Sequence, residues 1–279
     1  MLYLQAPPRD AGILLKYHFY RHNMAWYQVE MTHRFNPTLG EKSAPVELSL
    51  SEIAEVTAAT NTIAAKSAPL LTVIVHANLS VSGKLYPIAP HLDGSSHTVD
   101  TTGRETGIST APTGSQDFGS DPWDLLKLAK LCPVGVGIGS AWRDSSDTST
   151  VSSRVVSMTS GMATIVTDAR LQVGVQNNSQ SGGRLPPIVN LHFNWQFDIT
   201  DGSVRSMAGD GTIVFPSNAI TPRPPTTDRI TFILTRRQGF NDRGRSSAAL
   251  IRSPNLPGTT VRSSSFTARS QQDGKKNPR

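Results

Sequence analysis

Hydrophobic and polar residues alternate over much of this chain. Ile13, Leu15, Tyr17 and Phe19 share one side of an extended segment, with Leu14, Lys16, His18 and Tyr20 on the other. Residues 25–33 repeat the pattern: Ala25, Tyr27, Val29, Met31 and His33 oppose Trp26, Gln28, Glu30 and Thr32. A period of two sends successive side chains to opposite faces of a strand. The polar stretch 21–24 separates the two runs, so together they predict an antiparallel hairpin. The period then changes. Ser49 followed by Glu52 fits a helix-capping box, and Ile53, Val56, Thr60 and Ile63 fall on one helical face. These positions predict a helix over 49–66, closed by Pro69. Leu70 to Ser82 is rich in β-branched residues and predicts a buried strand ended by Gly83.

Residues 89–121 hold Gly, Ser, Thr, Pro, His and Asp without periodicity, which predicts a long functional loop or contact arm. Asp121 or Ser120 as cap and Pro122 at the first position predict a second short helix, carrying Leu125, Leu126, Leu128 and Leu131 and ended by Pro133. Further strands are predicted at 134–142, 151–158, 162–175, 187–199, 211–216 and 229–236. In one of them Leu191, Phe193, Trp195 and Phe197 alternate without a break. Ser, Thr, Gly and Pro are abundant and strong helix formers are sparse, which favours an all-β domain with long loops. Charged residues are 17% of the chain, low enough to suggest a surface partly covered by neighbouring copies.

The charge that exists is segregated. Residues 236–279 hold Arg236, Arg237, Arg243, Arg245, Arg252, Arg262, Arg269, Lys275, Lys276 and Arg279 against Asp242 and Asp273, a net +8. The whole chain is +6, so residues 1–235 carry −2. Two regions follow: a body over 1–235 and a basic C-terminal arm over 236–279 whose composition cannot bury a core by itself. Polyanion binding by counterion release is the chemistry such an arm offers, and its arginines suit phosphate and base-face contacts. Phe240 and Phe266 are its only aromatic residues, too few for sequence-specific readout.

Other candidate chemistry is thin. Gly135, Gly137 and Gly139 lack the following helix and lysine of a phosphate-binding loop and fit close backbone packing instead. Asp117, Asp121 and Asp124 have the makings of a calcium site, weighed against helix capping by Asp121 and dipole compensation by Asp124. Asp198, Asp201 and Asp210 surround a predicted hairpin. Among His18, His22, His33, His76, His91, His97 and His192, only His18 and His22 are spaced i, i+4, and they fall on a strand and a turn. Cys132 is the single cysteine and reads as a buried thiol. No cofactor, metal or enzymatic activity is expected. The start lacks a signal-peptide pattern and no apolar run approaches a membrane span, so assembly in a reducing cytoplasm is expected.

An antiparallel β body with two short inserted helices, long Ser/Thr/Pro loops, one cysteine and a basic arm resembles the jelly-roll coat proteins of small RNA viruses. The resemblance implies a β-sandwich of two packed sheets. It further implies self-assembly into a shell in the host cytoplasm, residence in the virion, and an arm that contacts RNA or neighbouring subunits. A related role is a clamp or decoration protein on another protein's shell. In many such coats the basic arm is N-terminal, whereas here it is C-terminal. The chain also resembles viral cell-to-cell movement proteins in length, β-rich core and basic C-terminal region. Ala163 to Arg170, with Asp168 and Arg170 at its end, looks like their apolar strand, and 193–199 and 230–236 would be later strands. That resemblance implies cooperative binding of single-stranded RNA.

Overall fold

A computed structural model describes residues 3–4, 12–19, 24–36, 45–58, 60, 65–88, 95–107, 123–173, 186–216 and 225–237. The chain divides into compact units Met1–Arg245 and Ser246–Arg279, and every described residue belongs to the first. Twelve strands form one antiparallel sheet. In chain order they are β1 (Tyr3–Leu4), β2 (Met24–Phe35), β3 (Val46–Ala58), β4 (Ser67–Val81), β5 (Lys84–Ile88) and β6 (Ser95–Asp100). A helical turn, α1 (Trp123–Leu126), precedes β7 (Ala141–Ser145), β8 (Ser149–Thr159), β9 (Met162–Gln172), β10 (Ile188–Asp198), β11 (Ser203–Phe215) and β12 (Thr226–Arg236).

Two meanders account for the order. Strands β7 to β12 pair in sequence, β2 to β5 pair in sequence, and β12 pairs with β2 to join them. Strand β1 extends the β7 edge, while β6 pairs with the first half of β4 and β5 with its second half. Neither a second sheet nor the nested pairing of a jelly roll is among these ladders.

Strands β8, β9, β10 and β12 bury alternate residues, as their sequence pattern requires. On β10 these are Val189, Leu191, Phe193, Trp195 and Phe197. Phe193 meets Phe232 of β12 edge-on, with ring centroids 5.8 Å apart. Polar groups on this inner face are matched to one another. The Trp195 indole N–H donates to Thr167 Oγ1 at 2.9 Å, and Thr167 Oγ1 lies 2.8 Å from Ser153 Oγ. Replacing Thr167 with valine keeps the shape and leaves the buried indole N–H without its acceptor. Thr167→Val is therefore expected to lower unfolding free energy by about 1–3 kcal/mol in chemical denaturation.

Several predicted elements take other forms. Residues 12–19 are not the hairpin partner of β2, whose neighbours are β3 and β12. They run across the core: Leu15 and Phe19 are buried, Ile13 makes a single bridge to Val136, and the His18 N–H donates to the Gly202 carbonyl. Gly202 has φ +64°, and an added Cβ would collide with His18, so that turn needs glycine. The helix predicted over 49–66 is replaced by β3 over its first part. Glu52, Ala54, Val56 and Ala58 face inward with period two, and Ser49 lies 3.3 Å from Thr32 across the ladder instead of capping. Two long flanking strands outweigh a helical pattern that rests on four positions, three of them β-branched Ile or Val and the fourth Thr60. Pro69 lies within β4, one residue beyond the last β3 rung at Leu70.

The second predicted helix is a single turn. Past it the Leu128 and Ala129 amides reach back only three residues, and the Leu131 amide turns to the Thr102 carbonyl. Its leucines do what their spacing predicts in burial: Leu125, Leu128 and Leu131 are fully covered. The Tyr17 hydroxyl donates to the Ala129 carbonyl at 2.7 Å, linking segment 12–19 to the one after α1, and the Trp142 indole of β7 donates to the Lys130 carbonyl at 2.9 Å, tying the latter to the sheet. The long loop over 89–121 contains β6, which pairs with β4 over 67–72. Of the strand predicted at 134–142, only Ala141 and Trp142 belong to β7.

Candidate nucleic-acid interface

The basic residues proposed as one group divide between two environments. Arg236 ends β12 with its side chain turned into the core and only 4% exposed. Its Nη1 donates to Asp201 Oδ2 and, at 2.7 Å, to Ser203 Oγ. Arg236 therefore belongs to the body and is withdrawn from the nucleic-acid-binding set: its charge is matched by Asp201 and shielded from any polyanion. Arg237 is exposed. Its guanidinium donates to Gln28 Oε1 at 2.9 and 3.2 Å, and its amide donates to the Trp26 carbonyl. Arg243, Arg245, Arg252, Arg262, Arg269, Lys275, Lys276 and Arg279 lie outside the described residues.

The turn between β10 and β11 anchors Arg236. Arg205 donates to Asp198 Oδ2 through Nε at 2.9 Å and Nη2 at 2.8 Å, and Nη2 lies 3.5 Å from Asp201 Oδ2. Burial pushes the Asp198 carboxyl up, but the Asp201 amide and the Arg205 guanidinium outweigh it and hold it below its ordinary range. Two guanidinium groups and two carboxylates thus form a network without net charge. Sequence reasoning grouped Asp198, Asp201 and Asp210 by position. The first two are the counter-ions, while Asp210 lies further along β11 opposite His192.

Elsewhere in the body further ion pairs form. Asp144 bridges Lys130 at 2.9 Å and Arg104 at 3.5 Å, Arg34 pairs with Glu47, and Asp124 takes Lys127. Asp117 and Asp121 lie outside the described residues, and no metal-sized cluster of three His, Cys, Asp or Glu side chains occurs among the described ones. The large aromatics of β10 and β12 all face the core, so the outer face of those strands offers no Phe, Tyr or Trp ring for base stacking. That face carries Asn190, His192, Asn194, Gln196, Arg229, Thr231 and Thr235, with Ile233 half-exposed.

Three histidines are paired with carboxylates: His33 with Asp228 at 2.9 Å, His97 with Glu105 at 3.0 Å and His192 with Asp168 at 2.8 Å. Among the described residues, no hydroxyl or thiol is hydrogen-bonded to the other ring nitrogen in any of them. His22 and His91 lie outside the described residues, and Cys132 is a buried free thiol. Gly135 is where close packing is needed: a Cβ there would strike the Gly12 carbonyl oxygen at 2.5 Å.

The His97–Glu105 pair has a structural use. Glu105 Oε1 also accepts the Trp123 indole N–H at 2.9 Å, and the His97 ring stacks on Trp123 at 4.8 Å. The hydrogen bond from His97, with that from Trp123, holds Glu105 down to about 2 from an ordinary 4.5. A depressed carboxyl adds stability that is complete above its unfolded pKa and is lost as pH falls through the folded value. The stability gap between the native protein and Glu105→Gln is therefore expected to be constant above pH 4.5 and to close between pH 4.5 and 2. Paired denaturation curves across that window check it. Glu105 is 43% exposed, so solvent screening trims the gap to about 1–2 kcal/mol.

No protein-family model and no curated protein matches the chain. Among solved structures it is similar to a lipovitellin, described for its lipid–protein interactions, at 12% identity and a TM-score of 0.48. The likeness covers 78% of this chain and 25% of that one, so the chain spans about a quarter of the lipovitellin's length. A likeness this distant assigns neither family nor function.

Proposed function

We propose that the chain is a structural, non-enzymatic protein of the viral coat type that associates with copies of itself and engages RNA through its basic C-terminal region. The observation that carries this reading is the division of charge. Residues 1–237 sum to zero charge, with Arg34, Arg104, Arg205 and Arg236 paired to carboxylates of the body, while the region after Arg237 holds eight cations against Asp242 and Asp273. A body of this kind contributes little field of its own, so polyanion affinity resides in the C-terminal region and falls steeply with salt. The polar, lightly charged outer face of β9–β12 is the surface for self-association. Edge-to-edge pairing at β5 is discouraged by Lys84 and Pro87, residues that blunt sheet edges. The reading rests on the β body and its charge layout, not on a jelly-roll strand order.

A specific observation favours a movement protein as the second reading. Residues 162–172 form the expected apolar strand, with Asp168 and Arg170 on its exposed face, and 193–199 and 230–236 fall in β10 and β12 with only Ile199 outside. Such a protein coats single-stranded RNA without closing into shells. Negative-stain microscopy of the purified protein with and without single-stranded RNA separates the two. Uniform closed particles support the coat reading, and RNA-dependent filaments support the movement reading. Monomers that ignore RNA overturn both.

A further inference from the structure

A partly open cavity of about 80 Å³ lies on the inner face of the sheet, near the seam where the two meanders join. Its walls come from both meanders and from the segments that cross the core, with Tyr17, Phe19, Tyr27, Leu70, Val99 and Trp123 among them. Small residues on adjacent strands keep it empty. Ala25 of β2 and Ala58 of β3 both face it, where a larger side chain would fill the space.

The polar groups at its edge are turned to protein partners. The Tyr17 hydroxyl donates to the Ala129 carbonyl, the Tyr27 hydroxyl to the Val204 carbonyl at 3.1 Å, the Trp123 indole to Glu105, and the Arg236 guanidinium to Asp201 and Ser203. Burial pushes the Tyr27 phenol up to about 12 and the Tyr17 phenol well above its ordinary value, so both stay protonated and keep those bonds. A charged guest would lose its water here and find these donors committed. An apolar guest gives up unfavourable hydration and meets aromatic walls. We infer that this cavity is a binding site for an uncharged apolar group, a single aromatic ring or the end of an alkyl chain. Its size agrees: an engineered cavity of about 150 Å³ encloses benzene entirely, so a partly open one of about half that volume takes a ring edge or chain end with part of the guest protruding.

The inference is independent of the RNA reading. The test titrates the full-length protein with toluene and, separately, with benzoate, which adds a charge to a similar ring. Calorimetry gives the stoichiometry, and fluorescence reads the wall residue Trp123. Saturable one-site binding of toluene is expected, with benzoate at least about tenfold weaker because its carboxylate finds no partner. Ala25→Leu and Ala58→Leu, each verified as folded by denaturation, are expected to abolish binding by filling the space. Absence of saturable toluene binding, equal affinity for benzoate, or unchanged binding in a folded Ala25→Leu protein would each overturn the inference. The comparison of the two ligands on the native protein needs no variant to fold.

Discussion

Truncation after Arg237 is expected to abolish salt-sensitive binding of single-stranded RNA while leaving the β body folded. The removed residues carry eight cations and two aspartates, a net +6, so the remaining 237 residues sum to zero. For single strands each neutralised phosphate adds roughly 0.7 to the slope of log affinity against log salt. About six such contacts make the full chain lose on the order of 10²–10³ in affinity between roughly 50 and 200 mM salt. The truncated protein should show neither the affinity nor the slope. Filter binding across a salt series measures both, and far-UV circular dichroism with a denaturation midpoint shows whether the body survives. A truncated protein that keeps the slope would move the RNA site onto the body and sink the proposed division of labour.

What the sequence made legible was the part of the sheet that buries one face with large side chains. The alternation of β9, β10 and β12 leaves little choice of period, because Leu191, Phe193, Trp195 and Phe197 have to share one side. Legibility failed where the inward residues are small or polar. The inner face of β3 is Glu52, Ala54, Val56 and Ala58, and that of β6 is Ser95, His97 and Val99. Such patterns carry weak hydrophobic periodicity, and only the flanking strands determine them. The segment 12–19 shows the reverse failure. Its alternation is genuine and buries Leu15 and Phe19, yet it crosses the core, because β12 from the far end of the chain takes the place beside β2. Pairing between the first and last long strands has no local signature. The β10–β11–β12 meander brings Arg236 to Asp201, a contact across 35 residues that turns an expected arm residue into a core one.

Asp201→Ala is expected to destabilise the body by about 3–5 kcal/mol, the cost of leaving a buried charge without its counter-ion. The Arg236 side chain is 4% exposed and would keep Ser203 as a neutral acceptor, but no longer Asp201. Arg205 retains Asp198, so the turn itself should persist and the loss should trace to Arg236. Arg237→Ala is the control: among the described residues its exposed side chain hydrogen-bonds Gln28 alone, and a change within about 0.5 kcal/mol is expected. The double variant Asp201→Ala, Arg236→Met removes both charges and should recover much of the loss, since an apolar replacement of a buried pair is often neutral or stabilising. Urea denaturation of the native protein, Asp201→Ala, Arg236→Met and the double variant closes the cycle. A coupling energy near zero would mean that Arg236 does not hold the end of β12, and would return it to the residues available to RNA. A large coupling energy makes Arg236 a structural residue of the body, so that the cations proposed to meet RNA are those after it.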